Sequence, residues 1–184
     1  YYTEEIAKEC MEKIFMPTVD AMNKEGRSFE GCLYFGLMLT KDGPKVIEYN
    51  CRFGDPETQV VLPLLKSDLL EIMLAVSEKR LDKVKVEFSD GAACCVVMAS
   101  EGYPKKYDTG FEISMPQNDD KIYVAGAKIK DGALVTAGGR VLGAVETADT
   151  LKDAVDAAYE KVKKIKFENA YYRTDIGKKA LEVL

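Results

Sequence analysis

The stretch VIEYNCRFGDPETQ, residues 46–59, decides how this chain is read. Successive side chains of a strand point to opposite faces. An extended chain here puts Val46, Glu48, Asn50 and Arg52 on one face and Ile47, Tyr49, Cys51 and Phe53 on the other. A carboxylate, an amide and a guanidinium then line up along one strand. The solvent face of an edge strand would explain such a row, but three features count against it. The preceding run CLYFGLMLT (32–40) is apolar on both faces, as expected of a strand in the middle of a layered structure. Asparagine is disfavoured inside strands. Gly54-Asp55-Pro56-Glu57 adds two more acids at a helix start.

The chemistry that suits this set is a hard cation. Mg²⁺ takes oxygen ligands, a few from protein and the rest from water and phosphate. A carboxylate and an amide oxygen at i and i+2 reach one ion together, and an arginine beyond them can grip a carboxylate or phosphate in bidentate fashion. The spacing points to a site for a metal nucleotide beside an anionic substrate.

KDGP (41–44) is a turn, so 32–40 and 45–53 form a hairpin. Upstream, Thr3 with Glu4 and Glu5 opens a helix on which Ile6, Cys10 and Ile14 recur at a helical interval. Pro17 should kink or end it, and NKEGRSFEG (23–31) is a polar loop. Downstream, Asp55 and Pro56 resemble an N-cap followed by proline at the first helical position, which starts a helix at 56. Ser67 and Asp68 open another, with Leu69, Leu70, Ile72, Met73 and Leu74 expected to be mostly buried. The charged stretch SEKRLDKVKVEFSDG (77–91) is the best candidate for a domain boundary. After it come a short apolar strand (92–100), a loop (101–110), and several short strands over 121–146 with turns at Lys130–Gly132 and Gly138–Gly139. Thr150 opens a last clear helix, with Asp153 three residues on. Its buried stripe is Leu151, Ala154, Val155, Ala158, Val162 and Ile165.

The 184 residues suit one ordinary domain or two small ones, and 47% hydrophobic residues can bury a core. A net charge of −5 argues against a general nucleic-acid binder. The absence of histidine removes Ser-His and Cys-His nucleophilic mechanisms and the common histidine zinc sites. The five cysteines, an odd number without a C-x-x-C pair, read as buried free thiols of a reducing compartment. No apolar run approaches transmembrane length, and the chain opens on neither an initiator methionine nor a signal peptide. The expectation is a soluble, cytoplasmic protein whose beginning is missing, with no nucleic-acid or membrane partner.

The stretch 31–75, from GCLYFGLMLT through EYNCRFGDPETQ to LLEIMLA, resembles the end of the ATP-grasp domain of the phosphoribosylamine–glycine ligases (glycinamide ribonucleotide synthetases). EKIFMPTVDAMNKEG (12–26) is similar to the helix before it. VVMASEGYPKKYDTG (96–110), TAGGRVLGA (136–144) and YYRTDIGKKAL (171–181) resemble the family's C-terminal domain. The resemblance implies an α+β fold, with the C-terminal part of an ATP-grasp domain at 1–76, a linker at 77–90 and a small mixed α/β C-terminal domain at 91–184. It also implies a ligase joining 5-phosphoribosylamine to glycine with conversion of ATP to ADP and phosphate. Glycine's carboxylate would be phosphorylated and the amine would displace the phosphate, by positioning and charge neutralisation, which needs no histidine.

By the same resemblance, Glu48 and Asn50 match the ligands of Mg²⁺ (or Mn²⁺), and Arg52 matches an arginine that takes the glycine carboxylate or the transferring phosphate. Gly54, Asp55 and Glu57 fall among the substrate-binding residues. Asp55 and Glu57 orient the glycine amine or the phosphoribosylamine, or else serve as an N-cap and a first-turn acid. Arg52 and Asp55 are the candidate catalytic residues. Two positions depart from the pattern: Glu101 replaces an expected glycine, and Val124 an expected histidine. GGRVLG (138–143) lacks G-x-G-x-x-G spacing and reads as a tight turn, and Lys105, Lys106 and Arg140 read as solvated charge. An N-terminal part of the same protein, with the adenine pocket and phosphate-covering loop, would precede residue 1, so this chain alone should not turn over. Another ATP-grasp ligase, such as a carboxylase subunit, or a non-catalytic interaction module that kept the fold are the rival readings.

Overall fold

Thr3 caps the first helix, its hydroxyl accepting the Ile6 amide at 3.3 Å, with Glu4 and Glu5 at the positive end of the dipole. The computed structural model describes residues 2–183. Pro17 does not end this helix. Helix α1 (Glu4–Cys10) runs through a π-helical turn, Met11–Phe15, into α2 (Met16–Lys24). The wider turn steps the hydrogen-bond ladder just ahead of the proline, so its missing N–H leaves no break.

Strands β1 (Tyr34–Thr40) and β2 (Gly43–Asn50) form an antiparallel hairpin. Its turn is held by Thr40, whose hydroxyl accepts the Asp42 amide at 3.1 Å and donates to the Gly43 carbonyl at 2.8 Å. The chain then bends at Cys51 and Arg52. Short helix α3 (Thr58–Val61) and a 3₁₀ turn (Leu62–Leu64) follow, then α4 (Leu69–Ser77). Asp68 caps α4 by accepting the Leu70 and Glu71 amides at 2.8 and 3.3 Å. Strand β3 (Ala92–Ser100), β4 (Ile122–Val124), the β5–β6 hairpin (Ala127–Lys130, Ala133–Thr136) and β7 (Arg140–Ala148) lead to α5 (Leu151–Val162). Strand β8 (Ala170–Tyr171) and α6 (Lys178–Leu181) complete the order.

These elements form two compact units, and the chain passes between them more than once. Residues up to Gly54 and Ser67–Glu87 form the first, Asp55–Lys66 and Phe88 onward the second. In the first unit the Phe15 ring meets the Phe35 ring at a tilt of 41° with centroids 4.5 Å apart, which fastens the helices to the hairpin. The hairpin is less covered than its apolar β1 implied, and Met38 stays exposed. Helix α4 also departs from expectation. Leu70 (64% exposed), Met73 and Leu74 face outward and only Ala75 is buried.

The second unit is built on an antiparallel sheet of order β4-β7-β3-β8. Cys94, Val96 and Met98 of β3 alternate into a core shared with Val141, Leu142 and Ala144 of β7. Helix α5 lies against β3 and β7 and buries Ala154, Val155, Ala158 and Val162, with Ile165 beyond its end and Leu151 half-buried. Thr150 caps it, accepting the Asp153 amide at 3.1 Å. No helix among the described residues is long and apolar enough to cross a membrane.

All five cysteines are free. Cys10 and Cys94 are buried, and Cys32 and Cys95 half-buried. Cys51 corrects the expectation of buried thiols: it is exposed, where the chain bends away from the hairpin.

Candidate functional site

The first unit places Glu48 and Asn50 at the end of β2. The hairpin register runs Met38↔Lys45, Leu37↔Val46, then Gly36↔Glu48, so Ile47 is an extra residue without a partner. This β-bulge resets the alternation. Val46 lines the same groove as Tyr49 and Cys51, beside Ile14 and Pro17 of the helices, rather than sharing a face with Glu48. Tyr49 meets the Phe35 ring at 5.3 Å on that helix-facing side. Glu48 and Asn50 are thereby turned to the other side, which corrects the simple period-two reading.

Glu48 lies directly over Gly36. A Cβ there would stand 2.8 Å from Glu48 Cγ, closer than side chains pack, so glycine opens the space the carboxylate occupies. Asn50 Nδ2 donates to Glu48 Oε1 at 3.0 Å. That bond orders the two side chains and leaves the amide oxygen and the second carboxylate oxygen outside it. Arg52 is not on the strand. Strand β2 ends at Asn50, and Arg52 Nη1 donates to the Phe53 carbonyl at 2.9 Å.

The second unit holds Asp55 and Glu57. Asp55 is not a helix N-cap: α3 starts at Thr58, and its N-cap, Glu57, makes no side-chain capping bond. The Asp55 carboxylate is engaged by side chains instead of backbone amides. Oδ1 accepts from Gln59 Nε2 at 3.1 Å and Oδ2 from Arg140 Nη2 at 3.2 Å. Arg140 Nη1 also donates to the Asp55 carbonyl at 3.0 Å. Glu57 lines a small cavity of about 230 Å³ with Val60, Cys95, Leu151 and Val155. Gly54, the last residue of the first unit before this segment, is buried.

From the sequence, Gln59 carries no expected role and Arg140 reads as solvated charge. Gln59 was discoverable, four residues after Asp55 and within reach across one turn. Arg140 was not: 85 residues separate it from Asp55. The structure reads GGRVLG as expected, a tight turn ahead of β7.

Two family models match. Residues 1–58 match the ATP-grasp (A) domain of phosphoribosylglycinamide synthetase, and residues 93–179 match its C domain. The chain is 49% identical over 179 residues to phosphoribosylamine–glycine ligase of Clostridium acetobutylicum, covering 97% of this chain and 43% of that protein. It is 52% identical over 171 residues to the ligase of Caldanaerobacter subterraneus, covering 92% of this chain and 41% of that protein. The crystal structure of phosphoribosylamine–glycine ligase from Thermotoga maritima superposes with a TM-score of 0.81 at 38% identity, over 95% of this chain and 44% of that one. The chain thus spans less than half the length of these relatives. An α+β chain in which the end of an ATP-grasp part precedes a C domain, in the order and at the identities just given, belongs to the phosphoribosylglycinamide synthetase family.

Proposed function

We propose that the chain supplies the metal-binding strand and the C domain of an ATP-dependent ligase. It joins 5-phosphoribosylamine to glycine and yields glycinamide ribonucleotide, ADP and phosphate in de novo purine synthesis. The observation that carries this reading is the ordered Glu48–Asn50 pair over Gly36, inside a chain of this family. The ATP-grasp part is assigned to 1–76 and the C domain to 91–184, joined by 77–90. The family models, matching 1–58 and 93–179, support that division.

The donor set fits Mg²⁺, or Mn²⁺ in its place. Two oxygen donors from protein, with the remaining positions left to phosphate and water, suit a metal nucleotide. No group of three or more acidic, cysteine or histidine side chains able to hold a metal by itself is found among the described residues. When bound, the metal supplies positive charge to the ATP phosphates. Glu48 and Asn50 would hold it. Arg52 would grip the glycine carboxylate or the transferring phosphate. Asp55 and Glu57, with Gly54 beside them, would orient the glycine amine or the phosphoribosylamine, so that the reaction is driven by placement. The partners are ATP, glycine, phosphoribosylamine and the remaining N-terminal part of the same protein, in the cytoplasm.

The test completes the chain on its N-terminal side with the corresponding part of the Caldanaerobacter subterraneus ligase and follows ADP release. Release that needs both glycine and phosphoribosylamine, and falls about a hundredfold or more in Glu48→Ala, is the expected result. A folded, completed chain that releases no ADP refutes the reading and favours an interaction module.

A further inference from the structure

The acidic end of the signature stretch belongs by sequence to the ATP-grasp family model, which runs to residue 58. By packing, Asp55 onward belongs to the second unit. Arg140 makes that connection. Its guanidinium holds Asp55 at two points, the carboxylate through Nη2 at 3.2 Å and the main-chain carbonyl through Nη1 at 3.0 Å. Gln59 holds the other carboxylate oxygen at 3.1 Å. Both oxygens are therefore directed, while Asp55 itself stays about half exposed, at 49%.

The backbone that presents Arg140 is held at several points. Buried Ser100 donates its amide to the Gly139 carbonyl at 2.8 Å and its hydroxyl to the Gly138 carbonyl at 3.0 Å. The Gly126 amide donates to the Arg140 carbonyl at 2.9 Å, and Ala137 donates to Gly126 at 2.7 Å. A Cβ on Gly139 would collide with the Tyr103 ring, so the turn closes only with glycine there. Such a frame fixes where the guanidinium starts. Stability does not explain it, because an ion pair this exposed contributes only about 0–1 kcal/mol.

We propose that Arg140 is a positioning residue for the ligase reaction, through which the C domain sets the Asp55 carboxylate in its working orientation toward the amine-bearing substrate. This rests on the function proposed above. Arginine is required because one planar group must satisfy a carboxylate and a carbonyl together, which an ammonium cannot do with the same geometry.

The experiment uses the completed chain already described. The unaltered chain and Glu48→Ala come first, and absence of ADP release there refutes the ligase reading rather than the role of Arg140. In an active chain, Arg140→Ala is expected to raise KM for one amine substrate, glycine or phosphoribosylamine, about tenfold while KM for ATP stays within about twofold. Asp55→Asn should show the same selectivity, and the double variant should lie within about threefold of Asp55→Asn alone, since residues acting as a unit are not additive. Arg140→Lys should recover part of the loss and covers the case in which Arg140→Ala does not fold. Multiplying losses in the double variant, unchanged amine KM values, or an equal rise in the KM for ATP would overturn the proposal. So would an Arg140→Lys enzyme with kinetics equal to the parent.

Discussion

Replacing Lys161 by methionine removes a charge from inside the second unit while keeping an apolar stem of similar length. The Lys161 side chain is only 6% exposed, and its Nζ lies 2.7 Å from Asp119 Oδ1 and 2.9 Å from Glu146 Oε1. Burial pulls the ammonium pKa down, but the hydrogen bonds and charges of the two carboxylates outweigh it and hold it above the ordinary lysine value. Burial likewise pushes the Asp119 carboxyl up, yet the hydrogen bonds from Lys161 and from the Lys121 amide carry it below the usual range. Two hydrogen bonds to charged groups contribute about 1.5–3 kcal/mol each, and removing one partner of a fully buried pair costs about 3–5 kcal/mol. Asp119 and Glu146 keep some solvent, and Lys121 remains 3.5 Å from Glu146, so the loss falls below that sum. A destabilisation of about 2–3 kcal/mol follows, or a fall in Tm of about 8–12 °C for a unit of roughly a hundred residues.

The pH dependence has a definite sign. The lowered Asp119 pKa means that its stabilisation is present above the unfolded carboxylate value, about 4, and is lost as pH falls through the lower folded value. The raised Lys161 pKa means that its share is present below the unfolded lysine value, about 10.5, and is lost as pH rises through the higher folded value. The gap between parent and Lys161→Met should be widest from about pH 5 to 9 and should narrow below about pH 4. Thermal unfolding of the 184-residue chain, followed by circular dichroism across that range, measures it. A gap under about 0.5 kcal/mol at pH 7, the scale of an ordinary surface substitution, refutes the reasoning, as does a gap that persists unchanged at pH 3.

Other perturbations test other parts. Gly36→Ala must push Glu48 aside, because its Cβ would stand 2.8 Å from Glu48 Cγ. In the completed enzyme it should raise the Mg²⁺ needed for half-maximal ADP release about tenfold, and a titration matching the parent's would be the contrary result. Cys51, exposed, should be alkylated first by iodoacetamide at neutral pH, read by peptide mass mapping. Burial pushes the Cys94 thiol up to about 11; burial, aided by Cys94 and Asp55, pushes Cys95 up to about 12. Both should stay unmodified in the folded chain. Thr150→Ala removes the cap of α5 and should cost about 1 kcal/mol of stability in chemical denaturation.

Where local rules met no competition, the sequence reading and the structure agree. The Thr3, Asp68 and Thr150 caps, the turn expected over 41–44 and formed at 41–42, and the strand 92–100 follow from side chains that satisfy nearby backbone groups or alternate into a core. The same logic failed at Asp55. Its carboxylate had a choice between amides of the next turn and two side chains, and the side chains won. It fails again at Leu70, Met73 and Leu74, which are apolar yet exposed, because burial needs a partner surface as well as an apolar side chain.

The family and the two-part α+β plan follow from the chain alone, because a contiguous signature is a property of sequence, and i, i+2 spacing keeps Glu48 near Asn50. Which face those two side chains occupy was decided only in three dimensions. One extra residue at Ile47 resets a period of two, and bulges leave no clear mark in composition. The hold of Arg140 on Asp55 was likewise a tertiary decision, since it depends on a turn clamped by Ser100 and Gly126 that brings together residues 85 apart.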